Sequence, residues 1–188
     1  MLETALNASR AELPGSIHAV DIGVSHWFYV QTLYSLLLWW HSKQPRAVKI
    51  DGYEMDAYRL YADLYSRFDH AAAHIDTLPN VNYFPVEFTP GQDPCHLVLS
   101  LFPFVTRKEH LRWGLPARFF QPEAVCLAAY ESLVHGGLMI IANQGSGERD
   151  IQHNILRSIG LEPFDSYRFD SPLFEYKKAR FITILKRP

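Results

Sequence analysis

The sequence predicts an α/β fold: a doubly wound, mainly parallel seven-stranded sheet with an antiparallel C-terminal strand and helices on both faces. Three observations predict it. Apolar runs of strand length alternate with helical stretches along all 188 residues, and each crossover helix must cover a face of its parallel strands. The run at residues 96–102 contains a continuous Leu97-Val98-Leu99 stretch rather than an alternating one, as suits the middle of a parallel sheet. Two last extended runs are separated only by Lys177-Lys178-Ala179, too short for a parallel crossover, so they form an antiparallel hairpin.

The elements follow in order. Residues 17–22 form a short apolar strand opened by Pro14-Gly15 and closed by Gly23. Residues 25–42 lack Gly and Pro and are apolar nearly all round, which predicts a buried helix. Residues 47–53 make the second strand. A helix is expected over 56–68, with Tyr58, Tyr61, Leu64, Tyr65 and Phe68 near helical spacing. The third strand is 81–88, after the turn at Pro79-Asn80, and the fourth is 96–102. Residues 103–122 are a long connection crowded with proline and aromatic groups, of a length that points to a functional loop such as a lid. A helix over 123–134 runs to Gly136-Gly137, a strand follows at 138–142, and a helix at 148–159 is stopped by Gly160. The hairpin strands are 166–176 and 180–186.

No linker divides the chain, so residues 1–188 read as one domain with residues 1–14 as an N-terminal extension. Hydrophobic residues are 48% and charged residues 20% of the chain, with net charge −2. That composition is globular, and its charge argues against a global attraction to nucleic acid or an anionic membrane. The most apolar stretch, 27–40, is interrupted by Gln31, Thr32 and Ser35 and is shorter than a membrane span. Met1 to Arg10 lacks the charged start and apolar run of a secretion leader. Cys95 and Cys126 sit in apolar surroundings and read as buried packing. Together these features predict a cytoplasmic protein. His70 and His74 are the one helix-spaced histidine pair, without a Cys/His cluster, so no metal site is expected.

Ala19-Val20-Asp21-Ile22-Gly23 is an apolar strand ending in acid, any residue, glycine. Ile50-Asp51-Gly52-Tyr53-Glu54-Met55 is a second strand with a terminal acid, and Val134-His135-Gly136-Gly137 precedes the fifth. On these residues the chain resembles the class I S-adenosylmethionine-dependent methyltransferase family over roughly residues 15 to 187. The resemblance implies that Asp21 faces the cofactor's charged amino acid end, that Gly23 lets the backbone turn close to the ligand, and that Ser25 stands in for the next motif glycine. It implies further that Glu54 accepts the ribose hydroxyls, with Asp51 as competitor by strand register, that Met55 lies beside the adenine, and that Glu87 lies near its amino group. Each has a plainer reading: Asp21 as a helix cap, Glu54 as a solvated acid at a helix start, Glu87 as a surface acid.

Two departures matter. Trp27 stands where the family keeps a small residue; its ring is expected to point into the helix–sheet core rather than to fill the cofactor's methionine end. Leu101-Phe102-Pro103-Phe104 falls where enzymes methylating base amino groups carry Asn-Pro-Pro-Tyr or Asn-Pro-Pro-Phe, and Leu101 offers no amide. The expected substrate is therefore a small molecule rather than nucleic acid. Its contacts are expected from Phe104, His110, Arg112 and Trp113, in a stretch that combines basic and aromatic groups. The plain alternative is a helix covering the sheet with its charges in water. The function expected is methyl transfer; the alternative is a methyltransferase-fold binding or partner module without catalysis, favoured by Trp27 and the missing glycines. A nicotinamide-dependent oxidoreductase would need a glycine-rich turn that this chain lacks.

Overall fold

The computed structural model describes residues 1–91, 93–173 and 175–188. One seven-stranded sheet runs through them in the order β3-β2-β1-β4-β5-β7-β6. The strands are β1 (Ser16–Ile22), β2 (Ala47–Tyr53), β3 (Val81–Phe84), β4 (Cys95–Leu101), β5 (Leu133–Gln144), β6 (Asp165–Phe169) and β7 (Arg180–Lys186). The first five pair in parallel, and β7 lies antiparallel to both β5 and β6. Helices α1 (Leu2–Ala8), α2 (Val30–Trp39) and α3 (Arg67–Ile75) precede β1, β2 and β3. Helix α4 (Arg107–Arg112), a short 3-10 turn (Ala117–Phe119) and α5 (Pro122–Glu131) lie between β4 and β5, and α6 (Gly145–Ser158) follows β5.

Alternation along the strands builds two cores. Ile17, Ala19, Ile50 and Leu99 face one, with Leu6 of α1 and Leu33 and Leu37 of α2. Val20, Val98, Met139 and Ile141 face the other, where Cys126, Ala129, Ile155 and Leu156 cover them from α5 and α6. Helix α1, in the 1–14 segment, packs Ala5 and Leu6 into the first core. Both cysteines are free and buried, and burial raises both thiol pKa values. No described helix is long and apolar enough to cross a membrane.

The structure corrects several boundaries, each for a physical reason. The helix expected from residue 25 begins at Val30, because Ser25 and Trp27 both take left-handed φ (55° and 51°), which no α-helix tolerates. The helix expected over 56–68 does not form. Leu64 sits at φ 69°, and Tyr58, Leu60, Leu64 and Tyr65 are exposed, so their spacing marks no buried stripe. The helix starts instead at Arg67, where Ser66 and Asp69 form a reciprocal capping box. Helix α5 ends at Glu131 and β5 is correspondingly long, its bend taken by Gly136 at φ 77° and a register shift between Cys95 and Leu97. Strand β3 stops at Phe84, and β6 stops at Phe169; the expected strand's position Phe174 lies outside the described residues.

Candidate functional site

Parallel α/β sheets bind ligands beyond the strands' carboxyl ends, where the strand order reverses. Here that point lies between β1 and β4. Asp21 and Gly52 pair across β1 and β2, one step from the ends of those strands, so Asp21 and Glu54 come out at adjacent strand ends. The turn leaving β1 is folded back onto β2: Gly23 and Val24 donate their N–H groups to the Tyr53 carbonyl at 2.8 and 3.3 Å. Gly23 holds φ 77°, and an added Cβ there would meet nothing within 4 Å. The Gly23 backbone therefore borders open space.

Glu54 is buried and organises this edge. One carboxylate oxygen accepts the Ser25 N–H at 2.8 Å; the other accepts the Asp56 N–H at 2.8 Å and faces Arg67 Nη1 at 3.4 Å. Arg67 also reaches Asp56 at 3.4 Å, and Arg59 donates to Asp56 and to the Trp113 carbonyl. Both guanidinium carbons lie 5.8 Å from the Trp113 ring centroid. The segment around residue 59 is thereby tied to the 103–122 connection above the Glu54 carboxylate.

Asp21 is 1% exposed. Its Oδ2 accepts from the Trp27 indole N–H at 2.9 Å and the Tyr29 hydroxyl at 2.8 Å, while Oδ1 is sealed without a partner among the described residues. Burial pushes its pKa up to about 7 against the pull of the Tyr29 and Trp27 hydrogen bonds. Burial, reinforced by the Asp21 charge, likewise drives the Tyr29 hydroxyl well above the ordinary phenol range. Trp27 is fully buried in the first core, its ring laid directly on Gly52. The ring points into the helix–sheet core, as expected, but its N–H also seals the carboxylate that the motif would turn toward a ligand.

The other sequence candidates divide. Ser25 sits in the turn, its carbonyl accepting from the Tyr83 hydroxyl at 2.9 Å and its hydroxyl 3.3 Å from that of Tyr61. Met55 directly follows Glu54 and is half-buried; Glu87, in the segment after β3, is also half-buried and makes no ion pair or hydrogen bond among the described residues. Asp51 points to the opposite side of the sheet, held by His18 and Asn82 at 2.8 Å each. Burial alone would raise its pKa, but those hydrogen bonds and the Lys49 charge win and lower it. That arrangement separates it from Glu54.

In the 103–122 connection, Phe104 contacts His110 and Trp113 at ring-centroid distances of 5.7 and 5.9 Å. His110 is a strut rather than a free group: it is buried, 3.0 Å from the Pro116 carbonyl, and edge-on to Phe120. Arg112 extends into solvent, 3.7 Å from Glu109. Among the described residues no group of three metal-type ligands is assembled. Sequence reasoning missed Arg67, Tyr29 and Arg59; only the capping pair Ser66 and Asp69, readable as Ser-x-x-Asp, could have placed Arg67 at a helix start.

No protein-family model and no curated protein matches this chain. Solved structures do. A S-adenosylmethionine-dependent methyltransferase from Aquifex aeolicus is similar over 99% of this chain and 89% of its own, at TM-score 0.64 and 12% identity. The N-methyltransferase NodS from Bradyrhizobium japonicum is similar over 100% of this chain and 94% of its own, at TM-score 0.63 and 8% identity. A methyltransferase from Pyrococcus furiosus is similar over 100% and 83%, at TM-score 0.56 and 14% identity. The fold is the Rossmann-like fold of class I S-adenosylmethionine-dependent methyltransferases.

Proposed function

We propose that this chain is a S-adenosylmethionine-dependent methyltransferase acting on a small-molecule acceptor, within a single domain in the cytoplasm. One observation carries the reading: Asp21 and Glu54 end adjacent parallel strands beside the point where strand order reverses. Residues at this edge fit the cofactor. A carboxylate has about four acceptor positions, and Glu54 uses three, for Ser25 N–H, Asp56 N–H and Arg67. The Arg67 contact is the longest, so it is the one a ribose hydroxyl would displace. Gly23 leaves open space where a ligand backbone contact would lie.

When bound, the cofactor supplies a methyl group made electrophilic by its sulfonium. The chain then has mainly to hold donor and acceptor in line and exclude water. Glu54 orients the ribose, Met55 and Glu87 flank the adenine, and the Phe104–Trp113 face of the 103–122 connection covers the acceptor. Both free thiols being buried supports a reducing compartment. Net charge −2 argues against a nucleic-acid acceptor.

A second reading has its own observation. The Trp27 and Tyr29 bonds to Asp21 remove the acid meant for the methionine end, which favours a binding module without catalysis. Calorimetry with S-adenosylhomocysteine separates the two. Wild type should bind, and Glu54→Ala, checked for folding by circular dichroism, should bind about 1–3 kcal/mol more weakly through loss of charged-acceptor hydrogen bonds. No binding heat with wild type selects the second reading, and an unaffected Glu54→Ala variant removes Glu54 from the site.

A further inference from the structure

Arg180 opens β7 at the carboxyl edge, paired in register with Gln144 at the end of β5. Its guanidinium carbon lies over two aromatic rings, 4.8 Å from the centroid of Phe102 and 4.8 Å from that of Tyr176. Phe102 follows the last residue of β4 at φ 63°, where the chain turns toward the 103–122 connection. Among the described residues no carboxylate pairs with Arg180 and no side chain or carbonyl accepts from its guanidinium, while Nη1 is sealed from solvent without a partner. Glu148, in the first turn of α6 just after Gln144, is committed to accepting the Gln144 N–H at 2.9 Å.

Such a group is poor architecture. A guanidinium carries five N–H donors, and a buried donor left unmade costs stability without return. Two aromatic rings lie against it, and its N–H donors point outward in its own plane. In-plane, paired N–H donors match the two oxygens of a carboxylate, and Arg serves this geometry where Lys does not. The position is the mouth of β4 and β5, beside the connection that covers the acceptor.

We infer that Arg180 is the anchor for an oxyanion on the methyl acceptor, and that the acceptor is a small carboxylate-bearing molecule. The role as acceptor anchor rests on the methyltransferase reading; the anion site itself does not. Phe102 and Tyr176 pack against the guanidinium, so they are positioning residues for it.

The test titrates benzoate, its neutral counterpart benzamide, and phenyl phosphate into the full chain by ligand-observed NMR, with wild type, Arg180→Met and Arg180→Lys. S-adenosylhomocysteine is titrated separately. Benzoate should bind wild type in preference to benzamide, at least tenfold more weakly to Arg180→Met, and with only partial recovery in Arg180→Lys. Equal benzoate affinity in wild type and a folded Arg180→Met, or no benzoate binding to wild type, overturns the inference. Should Arg180→Met not fold, full benzoate affinity in Arg180→Lys overturns it. Stronger binding of phenyl phosphate overturns the carboxylate assignment in favour of a phosphate. Arg180-dependent benzoate binding without S-adenosylhomocysteine binding keeps the anion site and sinks the methyltransferase reading.

Discussion

Asp21→Asn should make this protein's stability less sensitive to pH, and the structure sets the size of the change. The carboxyl is fully buried, and burial pushes its pKa from the usual 3.8 to about 7, the Tyr29 and Trp27 hydrogen bonds opposing only in part. Between those values the folded chain holds a proton that the unfolded chain has lost. Stability from this group is therefore fully present below about pH 3.8, falls as pH rises through the window, and levels off above about pH 7. At about 1.4 kcal/mol per unit, three units amount to at most about 4 kcal/mol. Asparagine cannot ionise. Its Oδ1 can accept from Trp27 and Tyr29 as Oδ2 does, and its amide then sits where Oδ1 already lacks a partner. Near pH 4 the acid is protonated and carries an unpaired donor of its own, so wild type and variant should unfold at similar urea concentrations. By pH 8 the variant should be the more stable, by up to about 4 kcal/mol. Urea unfolding of both proteins from pH 4 to 8 reads this directly, since other titrating groups cancel in the difference. A difference that stays constant across that range would refute the buried-acid argument.

Two further outcomes test the packing around this acid and a buried amide on the interior strand β5. An Ala Cβ at Gly52 would come within 2.5 to 2.7 Å of three Trp27 ring atoms, so Gly52→Ala should cost about 1–3 kcal/mol by overpacking and Trp27→Ala about 3–5 kcal/mol by cavity formation. In the double variant the Gly52 penalty should vanish; strictly additive costs in chemical denaturation would show that the two do not share one space. Asn143 is fully buried on β5, and neither of its side-chain polar atoms has a hydrogen-bond partner among the described residues. Asn143→Val should raise stability by about 1–3 kcal/mol, and a lowered unfolding midpoint would mean that the amide is satisfied in solution.

The sheet was legible because its signals are local. Continuous apolar runs mark strands covered on both faces, and the two extended runs at the end of the chain return antiparallel as expected, although the connection between them is residues 170–179 rather than Lys177-Lys178-Ala179 alone. Helix positions were less legible where periodicity competed with backbone conformation. Tyr58, Tyr61, Leu64 and Tyr65 recur at nearly helical spacing, yet the chain there turns through Leu64 at φ 69° and leaves most of these side chains exposed. Spacing reports a helix only when the stripe it draws has something to cover it. The better signal was the capping pair Ser66 and Asp69, which marks where helical conformation can start regardless of what lies on either face.

The candidate site was legible only as far as strand ends can be counted. Glu54 could be separated from Asp51 by alternation alone, because residues three apart in a strand face opposite sides, and the structure puts Asp51 with His18 and Glu54 with Ser25. The fate of Asp21 could not be read that way. It depends on a contact between Trp27, in the turn after β1, and Gly52, on β2, brought together because Asp21 and Gly52 share one rung of the sheet. Only a residue without a side chain at position 52 lets an indole lie flat there, and only an indole at 27 carries an N–H that reaches the acid. Glycine and tryptophan therefore form one unit across 25 residues of sequence, and that unit seals Asp21. A small residue at 27 would leave Gly52 uncovered and return the Asp21 carboxylate to the turn. Where a motif acid lies next to a strand glycine, the size of the side chain in the following turn decides whether that acid faces a ligand or the core.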